Sequence, residues 1–367
     1  MIKRNIIFTL IFLLATFTCY GADSISAKSY VVMEQSLNKV LMAKNENVRM
    51  KPASTTKILT AICALEEGNL SDMVTASYLA SSQEGSSIYL KKGDKLSLEN
   101  MVYGLMLNSG NDAAVAISEH IKGNVEKFAS LMNKKAKEIG AKNSNFTNPN
   151  GLDHPDHYVT AYDLALITSY ALNCEKFSEI VKTKTKVING ENGFKRFLTN
   201  HNRMLNQYEG CIGVKTGFTK KSGRTLVTAA EKDGIKLIVV TLNAPDDWRD
   251  HEKLLNEGFL RVKKERIIEK DSIAGYSFVK DAYVDKVDVR FKEDFYGVLI
   301  DGKNEYIVEC KFDKLKAPIK TGDKAGEAVV KINNKEIYKC DLVASKEIER
   351  TKKATYIEYL KKVFRVW

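Results

Sequence analysis

Ser54-Thr55-Thr56-Lys57 stands just after Pro52-Ala53, at the head of the apolar run Ile58–Glu67. On a helix, positions i and i+3 share a face. The Lys57 amine then reaches the Ser54 hydroxyl and takes its proton, provided burial or a nearby cation keeps the amine neutral. A helix start also turns a backbone N–H toward a developing oxyanion. The same four-residue pattern recurs at Ser36-Leu37-Asn38-Lys39 and Ser277-Phe278-Val279-Lys280. The first falls in a hairpin turn and the second in a β-rich region, so neither gives the helical register.

Ser109-Gly110-Asn111 follows the apolar stretch Leu105-Met106-Leu107. A hydroxyl and a carboxamide on a loop suit a proton shuttle and a grip on a substrate amide, although the same residues commonly cap a helix. Lys215-Thr216-Gly217 lies inside a strand predicted from Ile212 to Phe218. A strand edge aligns a peptide by main-chain hydrogen bonds. Lys215 supplies a cation for a carboxylate, Thr216 a hydroxyl and Gly217 room for close approach. A second Lys-Thr-Gly, at Lys320-Thr321-Gly322, precedes Asp323 and reads as a hairpin turn.

The elements that carry these groups follow from pattern. Val31-Val32-Met33 and Val40-Leu41-Met42 flank a polar turn and read as a hairpin. Ile58–Glu67 is a helix ending at Gly68, Asn100–His120 is helical in composition, and Thr160–Ala171 is a further helix. Asn143–His157, with Pro149, Gly151 and Pro155, reads as a loop. Thr225–Ala230 and Ile235–Leu242 flank Lys232-Asp233-Gly234, a hairpin signal, and Trp248–Phe259 closes as a helix. Strands at both ends with helices between predict one antiparallel sheet with a helical insertion, an α+β domain. From about Ile273 alternating segments such as Val287–Phe291 predict a small all-β domain.

Composition bounds the rest. The chain has 367 residues, 44% apolar and 28% charged, with 57 basic against 46 acidic side chains. That excludes wholesale disorder and suits an anionic partner or surface without choosing one. Lys3 and Arg4 precede the apolar run Ile6–Phe17, which is short for a membrane span and fits a signal peptide over residues 1–21, cleaved before Ala22. The mature protein is then expected outside the cytoplasm. In the tail, Ile357, Leu360, Phe364 and Trp367 fall on one helical face amid seven Lys or Arg and three Glu. Such a basic amphipathic helix reads as lying on a membrane surface, with docking on its own domain or a second copy as the alternative. The six cysteines do not make a disulfide framework, although Cys310 and Cys340 could pair. Asp153, His154, Asp156 and His157 cluster on the Pro-containing loop without an assignable distant ligand, so no metal is expected there.

The conjunction of the motifs, in order on a helix start, a loop and a strand, is far more specific than any one of them. With the flanking stretches Lys51–Glu66, Tyr103–Ala114, Asn148–Ala165 and Gly213–Arg224, the chain resembles the serine D-alanyl-D-alanine carboxypeptidases, the low-molecular-mass penicillin-binding proteins. The resemblance covers essentially the whole chain. It implies a β-lactamase/transpeptidase-like domain over 22–268, a β domain over 269–344 and the surface helix over 345–367.

It further implies that Ser54 attacks the carbonyl of the penultimate D-alanine of a peptidoglycan stem peptide. Terminal D-alanine leaves, and water releases the acyl-enzyme, which β-lactams also form. Lys57 would be the general base, Ser109 a proton relay to the leaving amine, and Asn111 a hold on the acyl side. Lys215 would lower the Lys57 pKa and, with Thr216, help bind the terminal carboxylate. The backbone N–H groups of Ser54 and Phe218 would form the oxyanion hole. Some relatives carry His where this chain has Phe218. No cofactor, metal or nucleic acid is expected. A D,D-endopeptidase, a β-lactamase and a wall-binding protein with a relic site are the alternatives; the sequence lacks a Glu-X-X-Leu-Asn between Ser109 and Lys215, which a class A β-lactamase would need.

Overall fold

A computed structural model describes residues 24–191, 193–303 and 305–364. The expected signal peptide and the Trp367 end of the tail lie outside them. A five-stranded antiparallel sheet organises the first part of the chain. Its order is Lys39–Lys44, Ser29–Glu34, Ile235–Leu242, Gly223–Lys232 and Cys211–Thr219. Distant segments thus share one sheet, as their hydrophobic alternation requires. The turn at Asp233 and Gly234 has φ of 53° and 76°, left-handed values that Asp and Gly accept and that match strand twist.

Helices cover both faces. The face beneath Val31, Met33, Val227 and Val240 packs on Lys57–Glu67, Leu98–Leu107, Asn111–Lys122 and Ala161–Ala171 in the main core. The opposite face, with Val32, Leu226 and Val239, receives Leu254 and Leu255 of the helix Asp247–Leu260. The stretch expected to be helical from Asn100 to His120 is two helices. They are broken at Ser109, whose φ of 61° no helix accommodates. Pattern reading did not identify the amphipathic helix Val125–Ile139 or the hairpin Thr185–Asn189 with Lys195–Thr199.

The C-terminal region is all-β. Six strands form one sheet, and Val262–Ile268 pairs separately with Phe295–Ile300. Cys310 and Cys340 both face Ala328 in register, on strands either side of it. Adjacent strands lie about 4.8 Å apart, so two strand spacings separate the cysteines, beyond disulfide reach, and both are free thiols. Arg261 ties this region to the first sheet. Its guanidinium donates to the Leu41 carbonyl and pairs with Asp301. The terminal helix Lys352–Phe364 begins beside Tyr283 and Asp281, and Tyr356, Ile357, Tyr359 and Val363 along it are exposed.

Candidate active site

Ser54 sits in a single 3-10 turn, Ala53–Thr56, that runs straight into the helix Lys57–Glu67. The Thr55 and Thr225 hydroxyls both donate to the Pro52 carbonyl, at 2.7 and 3.0 Å, and fix the approach to this turn. Because the helix points the Lys57 stem back over its first turn, Lys57 Nζ lies 3.0 Å from Ser54 Oγ. The amine is otherwise sealed. It donates to Asn111 Oδ1 at 2.7 Å and to the Asn150 carbonyl at 2.6 Å, with the side chain wholly inaccessible.

That arrangement fixes the amine's chemistry. Burial holds the Lys57 pKa well below 10.5, the nearby Lys215 lowers it further, and Asp112 opposes them. A neutral amine has two hydrogens and one lone pair. The hydrogens go to Asn111 and Asn150, which leaves the lone pair for the Ser54 hydroxyl.

The acceptors are held in turn. Asn111 begins the helix Asn111–Lys122, and its Nδ2 donates to the Glu84 carbonyl at 2.6 Å. The next residue, Asp112, gathers the Ser87 hydroxyl and the Ile88 and Leu90 amides, which anchors the segment crossing the site. Asn150 comes from the loop read in the sequence only as a loop. Gly151 beside it has φ +87°, and a Cβ there would lie 1.9 Å from the Ala53 carbonyl oxygen. Only glycine lets this loop press its backbone onto the serine turn. His157 completes the brace. It accepts from the Thr147 amide at Nδ1, 3.1 Å away, so Nε2 carries the hydrogen and donates to Thr56 Oγ1 at 2.9 Å. Burial pushes this imidazole down to about 3. Both ring nitrogens of His157 are thus engaged within the protein, by Thr147 and Thr56.

The strand Cys211–Thr219 is the outermost of its sheet and packs on the serine turn. A Cβ on Gly217 would stand 2.9 Å from the Ser54 backbone nitrogen and 2.4 Å from Thr225 Oγ1, which accounts for glycine there. Lys215 is buried and donates to the Thr216 carbonyl at 2.9 Å, and burial pushes its amine down to about 7. Ser54, Ser109, Thr216, Gly217 and Phe218 line one cleft of about 700 Å³. Ser109 is buried and makes no hydrogen bond to Ser54 or Lys57 among the described residues. Phe218 is 65% exposed at the rim. The sequence reading did not single out Asn150, His157 as a brace, or the cleft residues Arg224 and Asp247. Arg249 lines a neighbouring depression with Met204 and Gln207, which shares Trp248 with the cleft.

The look-alike motifs occupy other settings. The Ser36 hydroxyl donates to Glu34 in the hairpin turn, Ser277 lies on the strand Ile273–Lys280, and Lys320-Thr321-Gly322 is an exposed turn with Gly322 at φ +89°.

The chain is similar to known proteins along most of its length. Residues 16–246 match the family model described as D-alanyl-D-alanine carboxypeptidase (Peptidase S11), and 263–350 match the penicillin-binding protein 5 C-terminal domain. The chain is 33% identical to the D-alanyl-D-alanine carboxypeptidase DacF of Bacillus subtilis, over 93% of this chain and 90% of that one. It is 31% identical to DacC of Escherichia coli, over 89% and 86%. The solved penicillin-binding protein 5 of Haemophilus influenzae superposes with a TM-score of 0.65 at 30% identity, covering 89% of this chain and 98% of that one. The first part of the chain thus has the β-lactamase/transpeptidase-like fold, followed by an all-β domain, and the chain belongs to the Peptidase S11 family of serine D-alanyl-D-alanine carboxypeptidases.

Proposed function

We propose that this carboxypeptidase acts through Ser54 as nucleophile and Lys57 as general base on peptidoglycan stem peptides ending in D-Ala-D-Ala. The single observation that carries the assignment is the Lys57 amine, buried, 3.0 Å from Ser54 Oγ, with its hydrogens committed to Asn111 and Asn150. Ser54 Oγ gives its proton to Lys57 Nζ as it bonds to the penultimate D-alanine carbonyl carbon. The oxyanion rests on the Ser54 and Phe218 amides. The proton passes through Ser109 to the departing nitrogen, the C–N bond breaks and D-alanine leaves. Water, deprotonated by the same lysine, then attacks the ester and frees the shortened peptide. Lys215 keeps Lys57 neutral through like-charge repulsion and adds its field, with the Thr216 hydroxyl, on the carboxylate side of the substrate. Asn111 holds Lys57 and borders the acyl side. A β-lactam enters the first step and stops at the ester.

The small β domain spaces the catalytic domain from a surface, and the Lys352–Phe364 helix attaches to the membrane interface at the extracytoplasmic face. The exposed Tyr356, Ile357, Tyr359 and Val363 beside Lys361 and Lys362 support that reading. Among the described residues no helix is long and apolar enough to cross a membrane.

The test is release of free D-alanine from diacyl-L-Lys-D-Ala-D-Ala by wild type, Ser54→Ala and penicillin-treated protein. Release by wild type alone is expected. Release by Ser54→Ala at the wild-type rate would overturn the assignment, and digestion of cross-linked muropeptides without D-alanine release would move the substrate to the endopeptidase class.

A further inference from the structure

The segment that crosses the site is held by two side chains, and one of them lies outside the cleft. Asp112 takes the Ile88 and Leu90 amides. Arg196 takes carbonyls of the same stretch. Its Nε donates to the Ile88 carbonyl at 2.8 Å and its Nη2 to the Tyr89 carbonyl at 2.9 Å. Successive carbonyls of an extended chain point opposite ways. Tyr89 has φ of 60°, a left-handed value uncommon outside glycine, and the two carbonyls face one guanidinium. The Tyr89 side chain is 75% exposed, so its packing does not account for that conformation. Main-chain contacts hold it instead, since the Tyr89 amide also donates to Ser87 Oγ at 2.7 Å.

Arg196 is itself fixed. Its Cζ stands over the Phe194 ring, 4.7 Å from the centroid, and its Nη2 lies 3.9 Å from Asp94 Oδ2. It sits on the strand Lys195–Thr199, whose last amide donates to Asn108 Oδ1 at 2.9 Å, beside Ser109. One hairpin thus braces both the crossing segment and the turn that carries Ser109.

The braced segment leads to Asn111. The Ser86 carbonyl accepts from the Asn111 main-chain amide at 2.7 Å, and the Glu84 carbonyl from Asn111 Nδ2 at 2.6 Å. Gly85 between them has φ +85°, and a Cβ there would lie 2.9 Å from Asn111 Nδ2. These contacts decide which end of the carboxamide meets the base. With Nδ2 on Glu84, Oδ1 accepts from the Lys57 amine at 2.7 Å and the lone pair stays with Ser54. A carboxamide turned over would donate an Nδ2 hydrogen to that lone pair and take the base from the nucleophile.

We propose that Arg196 is a positioning residue for the reaction. By holding the Ile88 and Tyr89 carbonyls it keeps segment 84–90 on Asn111, and so keeps the Lys57 lone pair directed at Ser54. The inference rests on the reading of Ser54 as nucleophile and Lys57 as base.

The experiment is stopped-flow acylation of the mature protein by a chromogenic β-lactam, resolving the encounter constant from the acylation rate constant. It uses wild type, Arg196→Gln, Arg196→Lys, Asn111→Ala and the double variant Arg196→Gln with Asn111→Ala, each with a thermal melt. Arg196→Gln is expected to lower the acylation rate constant roughly tenfold to a hundredfold, the scale of a small misplacement of reacting groups, with the encounter constant little changed. Arg196→Lys falls between, because one ammonium replaces a two-pronged donor. On Asn111→Ala the Arg196→Gln change costs nothing further, since the group it positions is gone. An arginine that only supports the fold would add its loss to that of Asn111→Ala. Such additivity would overturn the proposal, as would a wild-type rate constant in an Arg196→Gln protein that melts like wild type. If Arg196→Gln does not fold, Arg196→Lys carries the test, alone and on Asn111→Ala, and a rate constant equal to wild type overturns it. A wild type that is not acylated at Ser54 would instead remove the functional reading, and this inference with it.

Discussion

Lys57 Nζ stands 3.0 Å from Ser54 Oγ with a carbonyl acceptor on each of its other sides, Asn111 Oδ1 and the Asn150 main chain. Burial, and after it the nearby Lys215, favour the amine over the ammonium in this pair. Replacing Lys57 with Arg puts a permanent cation in place of the neutral amine and removes the base, since a guanidinium does not give up its proton. Lys57→Arg is expected to lower the rate of Ser54 acylation on the order of 10²–10⁴-fold, the range of a lost general base. Stopped-flow acylation by a chromogenic β-lactam checks this.

Asn111 lets the direction of a pH shift be forecast. Asn111→Asp would place a carboxylate on the Lys57 amine in place of a neutral oxygen 2.7 Å away. An opposite charge favours the ammonium, so the Lys57 pKa rises. The acidic limb of the kcat/KM profile should move to higher pH, with activity lost near neutrality and partly regained in alkali. A pH profile of D-alanine release reads the shift. A limb that stays in place would show that Asn111 does not govern the base.

Gly217 tests the strand–serine contact. A methyl group there meets the Ser54 nitrogen at 2.9 Å and Thr225 Oγ1 at 2.4 Å. Gly217→Ala should push the strand from the serine turn and misalign the oxyanion donors, a loss on the order of 10²–10³ in kcat. The contact is local, so the melting transition should remain cooperative.

How much of this was legible beforehand depends on range. Ser54 and Lys57 share one helical turn, so spacing alone exposes their meeting, and element context separates them from Ser36 and Ser277. Lys215-Thr216-Gly217 was legible as a contiguous motif inside the short strand predicted from Ile212 to Phe218, which lies within the observed strand Cys211–Thr219. The Asn150 carbonyl was not, because it meets Lys57 across 93 residues through a main-chain atom that leaves no trace in side-chain type. Gly151 beside it was visible only as a loop residue. Its reason, an approach of 1.9 Å to the Ala53 carbonyl, is tertiary. The Val125–Ile139 helix lies between the motifs and carries no chemistry. Its apolar face, Phe128, Met132 and Ala136, is fully buried.

His157 gives a stability signature independent of activity. Its imidazole is held neutral, with a pKa of about 3 against 6.5 unfolded. The unfolded chain binds the extra proton first, so the contribution is present above pH 6.5 and lost as pH falls toward 3. His251, buried against Thr241 and also at about 3, adds a like slope. Each steepens the acid limb by about 1.4 kcal/mol per pH unit. Urea titrations of wild type and His157→Gln between pH 6.5 and 4 should differ by one such increment in slope.

The tail reading has its own check. Protein truncated after residue 351, which removes the Lys352–Phe364 helix and leaves Ile348 in the β-domain core, should lose salt-sensitive sedimentation with anionic vesicles and keep its D-alanine release.

The most direct test of the central claim is the site and pH dependence of penicillin acylation in the mature wild-type protein. Peptide mapping by mass spectrometry should place the penicilloyl adduct on Ser54. The acylation rate should fall only on acidification, with a midpoint well below the ordinary lysine value of 10.5. An adduct on another residue, or a rate that climbs until pH nears 10.5, would contradict a neutral Lys57 acting on Ser54.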